Sequence, residues 1–138
     1  MQRVREVMTA NPVVVPKDTS VLDAARLMRD RGIGDVIVID GDEAEGIVTD
    51  RDIVVRAVAE GSDPSRVRVD EVLSGELAAV APDDPVEHAI KLMREKAIRR
   101  IPVVEGGRPV GVVSIGDLAM ERDAESALAD ISEAPPNR

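Results

Sequence analysis

Gly46-Ile47-Val48-Thr49-Asp50-Arg51-Asp52 and Gly111-Val112-Val113-Ser114-Ile115-Gly116-Asp117 are two versions of one phrase, 65 positions apart. Each sets a glycine and two β-branched residues ahead of a hydroxyl, with an acid three positions further on. A β-branched run reads as a strand. A Ser or Thr followed three residues later by an acid is a helix-start signal. The phrase is therefore a strand that turns into a helix, written twice. Sliding the chain by the same 65 residues aligns 4–53 with 69–118 without a gap and gives 16 identities in 50 positions. A match of that length is a duplication.

Moving outward from the phrase, each copy carries the same signals in the same order. A short apolar run comes first (Val13-Val14-Val15; Ala78-Ala79-Val80). A helix start follows. Asp84 is expected at the N-cap, with Pro85 at the first helical position and Glu87 completing a capping box; Thr19 and Ser20 take the places of Asp84 and Pro85 in the first copy. Apolar residues then recur at helical spacing: Val21, Ala24, Ala25, Met28, and again Val86, Ala89, Ile90, Met93. Two strands joined by Asp40-Gly41-Asp42, or by Glu105-Gly106-Gly107, lead into the repeated phrase. The predicted order per copy is strand–helix–strand–strand–helix, with a second helix from about Asp50 or Ile115. Gly61-Ser62-Asp63-Pro64-Ser65 is a turn-rich break. The expected division is 1–60, a linker at 61–68, 69–122, and a helical extension with a frayed tail at 123–138. One copy of about 50 residues buries little apolar surface, so the two are expected to pack through their sheets with pseudo-two-fold symmetry.

Composition excludes several function classes. The chain has 138 residues, no Phe, Tyr, Trp or Cys, and a net charge of −9. Its core must be aliphatic. Disulfides, thiolate zinc sites and thiol catalysis are ruled out. The acidic balance and missing aromatics oppose nucleic acid and anionic lipid as partners. No apolar run approaches the roughly 20 residues that cross a bilayer, and the N-terminus lacks a secretory apolar core. A cytoplasmic protein without a membrane partner is expected. His88, the one histidine, has no sequence partner for a metal or for proton transfer, and no catalytic constellation is visible.

The two Thr/Ser-x-x-Asp corners are the chemically suggestive feature. At a strand end opening a helix, unpaired N–H groups and the helix dipole favour an anion. The hydroxyl could donate to a phosphate oxygen, and the acid one turn on could accept both hydroxyls of a ribose. The same pattern is also an ordinary helix cap. Both readings stand at this point.

The whole pattern resembles a tandem pair of CBS (cystathionine-β-synthase) domains, a Bateman module, over roughly residues 4–122. Its marks are Val7-Met8-Thr9 with Pro12, Ile33 before the second strand, Arg99-Arg100-Ile101-Pro102-Val103, and the repeated phrase itself. The resemblance implies an α/β fold of α+β type made of two β-α-β-β-α repeats. It also implies two clefts. The first would join Val13, Ile33, Gly34 and Asp35 with Ser114, Gly116 and Asp117, with Arg99 and Arg100 toward phosphate. The second would join Ala78, Ile98 and Pro102 with Thr49, Arg51 and Asp52. The ligand implied is an adenine nucleotide (AMP, ADP or ATP) or S-adenosylmethionine, bound as a regulatory signal, with no catalytic residue and no metal. A homodimeric disc formed through the helices is implied as well, helped by small residues at Ala24, Ala25, Ala57 and Ala89, together with an unidentified protein target. The alternative is a ligand-free dimer that serves as a docking scaffold.

Overall fold

The computed structural model describes residues 2–122; the expected extension and tail at 123–138, with the acidic residues Asp123, Glu125, Asp130 and Glu133, lie outside them. The elements in chain order are α1 (Val4–Val7), β1 (Thr9–Ala10), β2 (Val14–Pro16), α2 (Val21–Arg31), β3 (Asp35–Asp40), β4 (Glu43–Thr49), α3 (Asp50–Ile53), α4 (Val86–Lys96), β5 (Arg100–Glu105), β6 (Arg108–Ser114) and α5 (Ile115–Arg122). A π-helical stretch, Val54–Val58, continues α3, and a 3-10 turn covers Val69–Glu71.

Two compact units result, and their limits differ from those of the sequence repeats. Among the described residues, unit I is Val13–Leu77 and unit II joins 2–12 to 78–122. The opening segment of each repeat thus belongs to the compact unit built around the other repeat.

In unit I the sheet order is β2-β3-β4, with β2 parallel to β3 and β3 antiparallel to β4. The helix α2 begins where the Ser20 side chain accepts the Asp23 N–H at 3.0 Å. It ends where Gly32 turns left-handed at φ 63, a conformation glycine takes without steric cost. Its buried face, Val21, Ala24 and Met28, packs on Val36, Val38 and Val48. Val69 and Val72, from the segment after the turn-rich break, close the same core. Each fully buried valine contributes on the order of 1.5–3 kcal/mol.

Unit II repeats the plan, with sheet order β1-β6-β5. Val86, Ala89 and Met93 of α4 pack with Ile101, Val103 and Val113, and Val4 of α1 closes this core. Val4 and Val69 hold equivalent places in the duplication, and both are fully buried. The turns that introduce them are equivalent too: Glu6 accepts the Arg3 N–H, and Glu71 accepts the Arg68 N–H.

Four expectations require correction. The N-cap of α4 is Pro85 rather than Asp84, without the Glu87 capping box, and α2 is capped by Ser20 rather than Thr19. The reason is backbone pairing: Pro85 and Ser20 are extended, bridging Arg3 and Arg68, so neither can enter the helix. Asp84 instead accepts the Ala81 N–H in a turn. The predicted strand at Ala78-Ala79-Val80 shrinks to one bridge, Val80 to Val103. Finally, Ala24, Ala57 and Ala89 are wholly buried in their own units, so they form no outer helix face. The exposed large apolar residues on helical segments are Val54, Val55, Val58 and Ile115.

Candidate functional site

The corner of unit II is built where β6 ends. Arg100 pairs with Ser114 across β5 and β6, and the Ile115 N–H donates to the Arg99 carbonyl at 2.8 Å. Both arginines therefore flank the corner, Arg99 exposed and Arg100 half-buried. A reciprocal cap shapes it. The Ser114 N–H donates to Asp117 Oδ2 at 2.9 Å, and the Asp117 N–H donates to Ser114 Oγ at 3.0 Å. Among the described residues this leaves the Ser114 hydroxyl proton without an acceptor; Asp117 is half-buried, as is Gly116 between them. A hydroxyl, a carboxylate one turn along and, on the neighbouring segment, the consecutive residues Arg99 and Arg100 are thus gathered in one unit. That set can hold a polyol and an anion together.

The corner of unit I has the same backbone and different side-chain bonding. Asp35 pairs with Thr49, and the Asp50 N–H donates to the Gly34 carbonyl at 2.9 Å. Asp52 is 6% exposed, the one buried charged residue among those described. Its Oδ2 accepts the Thr49 N–H at 2.8 Å, the Thr49 hydroxyl at 2.9 Å and the Ser74 hydroxyl. Its Oδ1 lies 3.5 Å from Arg56 Nε. Arg51 is exposed. Sequence reasoning missed Ser74 and Arg56. The available signals were the repeat register, which equates Ser74 with Thr9, and the helical i,i+4 spacing of Asp52 and Arg56.

The remaining expected residues line the strand starts. In unit I, Ile33 is half-buried against the core, and its N–H donates to the Met28 carbonyl at 3.0 Å. The Val13 carbonyl accepts the Ile37 N–H at 2.9 Å, which leaves one lone pair. In unit II, Ile98 packs against the core and its N–H is likewise taken, by Met93. Pro102, in the place of Ile37, has no N–H, so Ala78 receives no matching bond. Asp35, Gly34 and Arg100 all make further interactions. The Ser65 hydroxyl and N–H hold Asp63 below the usual carboxylate range, and Lys17, Arg29 and Arg68 are raised by Asp40, Asp30 and Asp70.

Among the described residues no group of three His, Cys, Asp or Glu could hold a metal ion. His88 is exposed, 3.9 Å from Asp84. No helix among them is long and apolar enough to cross a membrane.

Comparison with known proteins agrees with the duplicated architecture. The CBS domain model matches twice, over residues 4–58 and 69–123. The CBS domain-containing protein YhcV of Bacillus subtilis is 37% identical over 136 residues, covering 96% of each chain. A hexameric CBS-CP12 protein from bloom-forming cyanobacteria superposes with TM-score 0.79 at 33% identity, over 92% of this chain and 75% of that one. The CBS domain pair of MJ0100, solved with 5′-methylthioadenosine and S-adenosyl-L-methionine, has the same fold, with TM-score 0.81 at 23% identity over 91% of this chain and 99% of that one. With two matched domains spanning most of its length, the chain belongs to the CBS domain family.

Proposed function

We propose that this CBS pair is a non-catalytic regulatory module that binds an adenosyl ligand: AMP, ADP, ATP or S-adenosylmethionine. The observation that carries the reading is the unit II corner. There the Ser114 hydroxyl and the Asp117 carboxylate stand one helical turn apart, beside Arg99 and Arg100. Asp117 accepts the ribose hydroxyls, Ser114 donates to the phosphate or its substitute, and the arginines neutralise the charge. MJ0100, of the same fold, is described in complex with two adenosyl compounds, which supports the capacity of the fold for such a ligand. The protein acts in the cytoplasm as a homodimer assembled through helices. The exposed Val54, Val55 and Val58 supply apolar surface for that contact, and a hexameric relative is known. Ligand binding shifts the population of module conformations and so alters a protein target.

The test uses the composition. Without Trp, Tyr, Phe or Cys, the purified protein scarcely absorbs in the near ultraviolet, so an adenine absorption band reports a co-purified nucleotide directly. Heat on titrating AMP, ATP or S-adenosylmethionine is the expected result. A featureless spectrum with no calorimetric heat from any of the three refutes the reading. It would favour the docking scaffold instead, to which the Val54, Val55 and Val58 surface is also suited.

A further inference from the structure

We infer that the duplicated corners have divided their work: Asp52 is a structural tie, and the chain takes one adenosyl ligand, at the Asp117 corner. This deepens the proposed function and rests on it.

Three observations within the units carry the division. The first is the bonding of the acids. Asp52 Oδ2 receives three donors, from the Thr49 N–H, the Thr49 hydroxyl and the Ser74 hydroxyl, while Oδ1 faces Arg56. A ribose diol needs two acceptor positions on a carboxylate, and using them here would take the half-buried Ser74 hydroxyl off the buried Asp52. Among the described residues, Asp117 Oδ2 receives the Ser114 N–H alone. The second is the hydroxyl. Both hydroxyls accept the N–H of their own acid; Thr49 also donates its proton to Asp52, whereas the Ser114 proton meets no acceptor among the described residues and is left for a ligand. The third is charge. The residue paired with Thr49 is Asp35, and the residue paired with Ser114 is Arg100. The cross-strand neighbour is thus acidic at one corner and basic at the other, and of the two arginines near Asp52, Arg56 already faces its carboxylate while Arg51 is exposed.

Ser74 is what sets the two apart. Its counterpart in the duplication is Thr9, exposed in β1 and paired with Val112. Ser74 instead fastens the segment after the 3-10 turn to the first turn of α3, next to its N–H bond to the Ile47 carbonyl at 3.1 Å. Val69 and Val72, which close the core of unit I, lie just upstream on that segment. The tie holds them in place.

The experiment compares Asp117→Asn, Asp52→Asn and Ser74→Ala in the full chain, by calorimetric titration with AMP and S-adenosylmethionine and by thermal unfolding followed with far-ultraviolet circular dichroism. Wild type should take one equivalent of ligand per chain. Asp117→Asn should weaken binding about tenfold or more while unfolding within about 2 °C of wild type. Ser74→Ala should unfold roughly 5 °C lower and bind within about threefold of wild type. Asp52→Asn should share that pattern, and Ser74→Ala carries the test if Asp52→Asn fails to fold. Two equivalents per chain, or unchanged thermal stability in Ser74→Ala, would overturn the division of work. So would binding lost in Asp52→Asn and kept in Asp117→Asn. If wild type binds neither compound, the adenosyl reading falls, and the ligand assignment to Asp117 with it. The unfolding of Ser74→Ala then still reports on the tie alone.

Discussion

Ala97 ends α4 with φ 52, in the left-handed region, where the first repeat has Gly32 at φ 63. A Cβ in that conformation costs roughly 1 kcal/mol. Ala97→Gly should therefore stabilise the protein by up to about 1 kcal/mol, less a little for the added freedom of the unfolded chain; the urea midpoint is the measurement. A lower midpoint would mean that the left-handed turn is relaxed by something other than backbone geometry. Ala97 is exposed, so the substitution removes no packing. At the same scale, the spacing of both corner acids fitted a helix cap and a ligand site alike. The burial of Asp52 was hidden from that spacing, because its third donor, Ser74, stands 22 residues away.

The two glycines that open the repeated phrase show why a strand pattern can require a missing side chain. A Cβ on Gly111 would meet the Thr9 carbonyl oxygen at 2.9 Å and Met8 Sδ at 2.7 Å, because β1 crosses there. A Cβ on Gly46 would meet only the end of Leu73, at 3.0 Å. Backbone cannot yield as a leucine rotamer can. Gly111→Ala should cost about 2–3 kcal/mol and Gly46→Ala less than about 1 kcal/mol, as read from denaturation curves. Equal costs would contradict the backbone argument. The second repeat's lost strand also has an element-scale cause. In unit I the ladder beside β2 includes Ile37 N–H to Val13 and Lys17 N–H to Ile39. The equivalent donors in unit II would be Pro102 and Pro82, neither of which has an N–H. Two bonds remain, from Val80 to Pro102 and from Val104 to Val80. Both prolines were in view in the sequence; their joint effect needed the parallel register.

For the whole molecule, the consequential fact is that the repeat and the compact unit are offset. Residues 1–60 contain one complete repeat, yet they omit Val69 and Val72 from the unit I core and carry Val4, which belongs to the unit II core. Residues 13–77 hold every member of the unit I cluster. As separate polypeptides, 13–77 should show more helical ellipticity and a steeper urea transition than 1–60, although a chain of that size has marginal stability. Comparable behaviour of the two fragments would mean that the opening segments add nothing to the cores.

The sequence by itself determined the duplication, the helix–strand–strand–helix order inside each repeat, the aliphatic core and the two Thr/Ser-x-x-Asp corners. All of these follow from periodicity and spacing within about a dozen residues. Tertiary structure alone decided which repeat's opening segment closes which core and that Ser74 reaches Asp52. It also decided that Ala24, Ala57 and Ala89 face inward. Those outcomes depend on contacts between segments distant in the chain, and an alanine on a helix reads the same whether its face meets a sheet or another molecule. The corners carry one pattern twice; only their neighbours in space make one a tie and leave the other open.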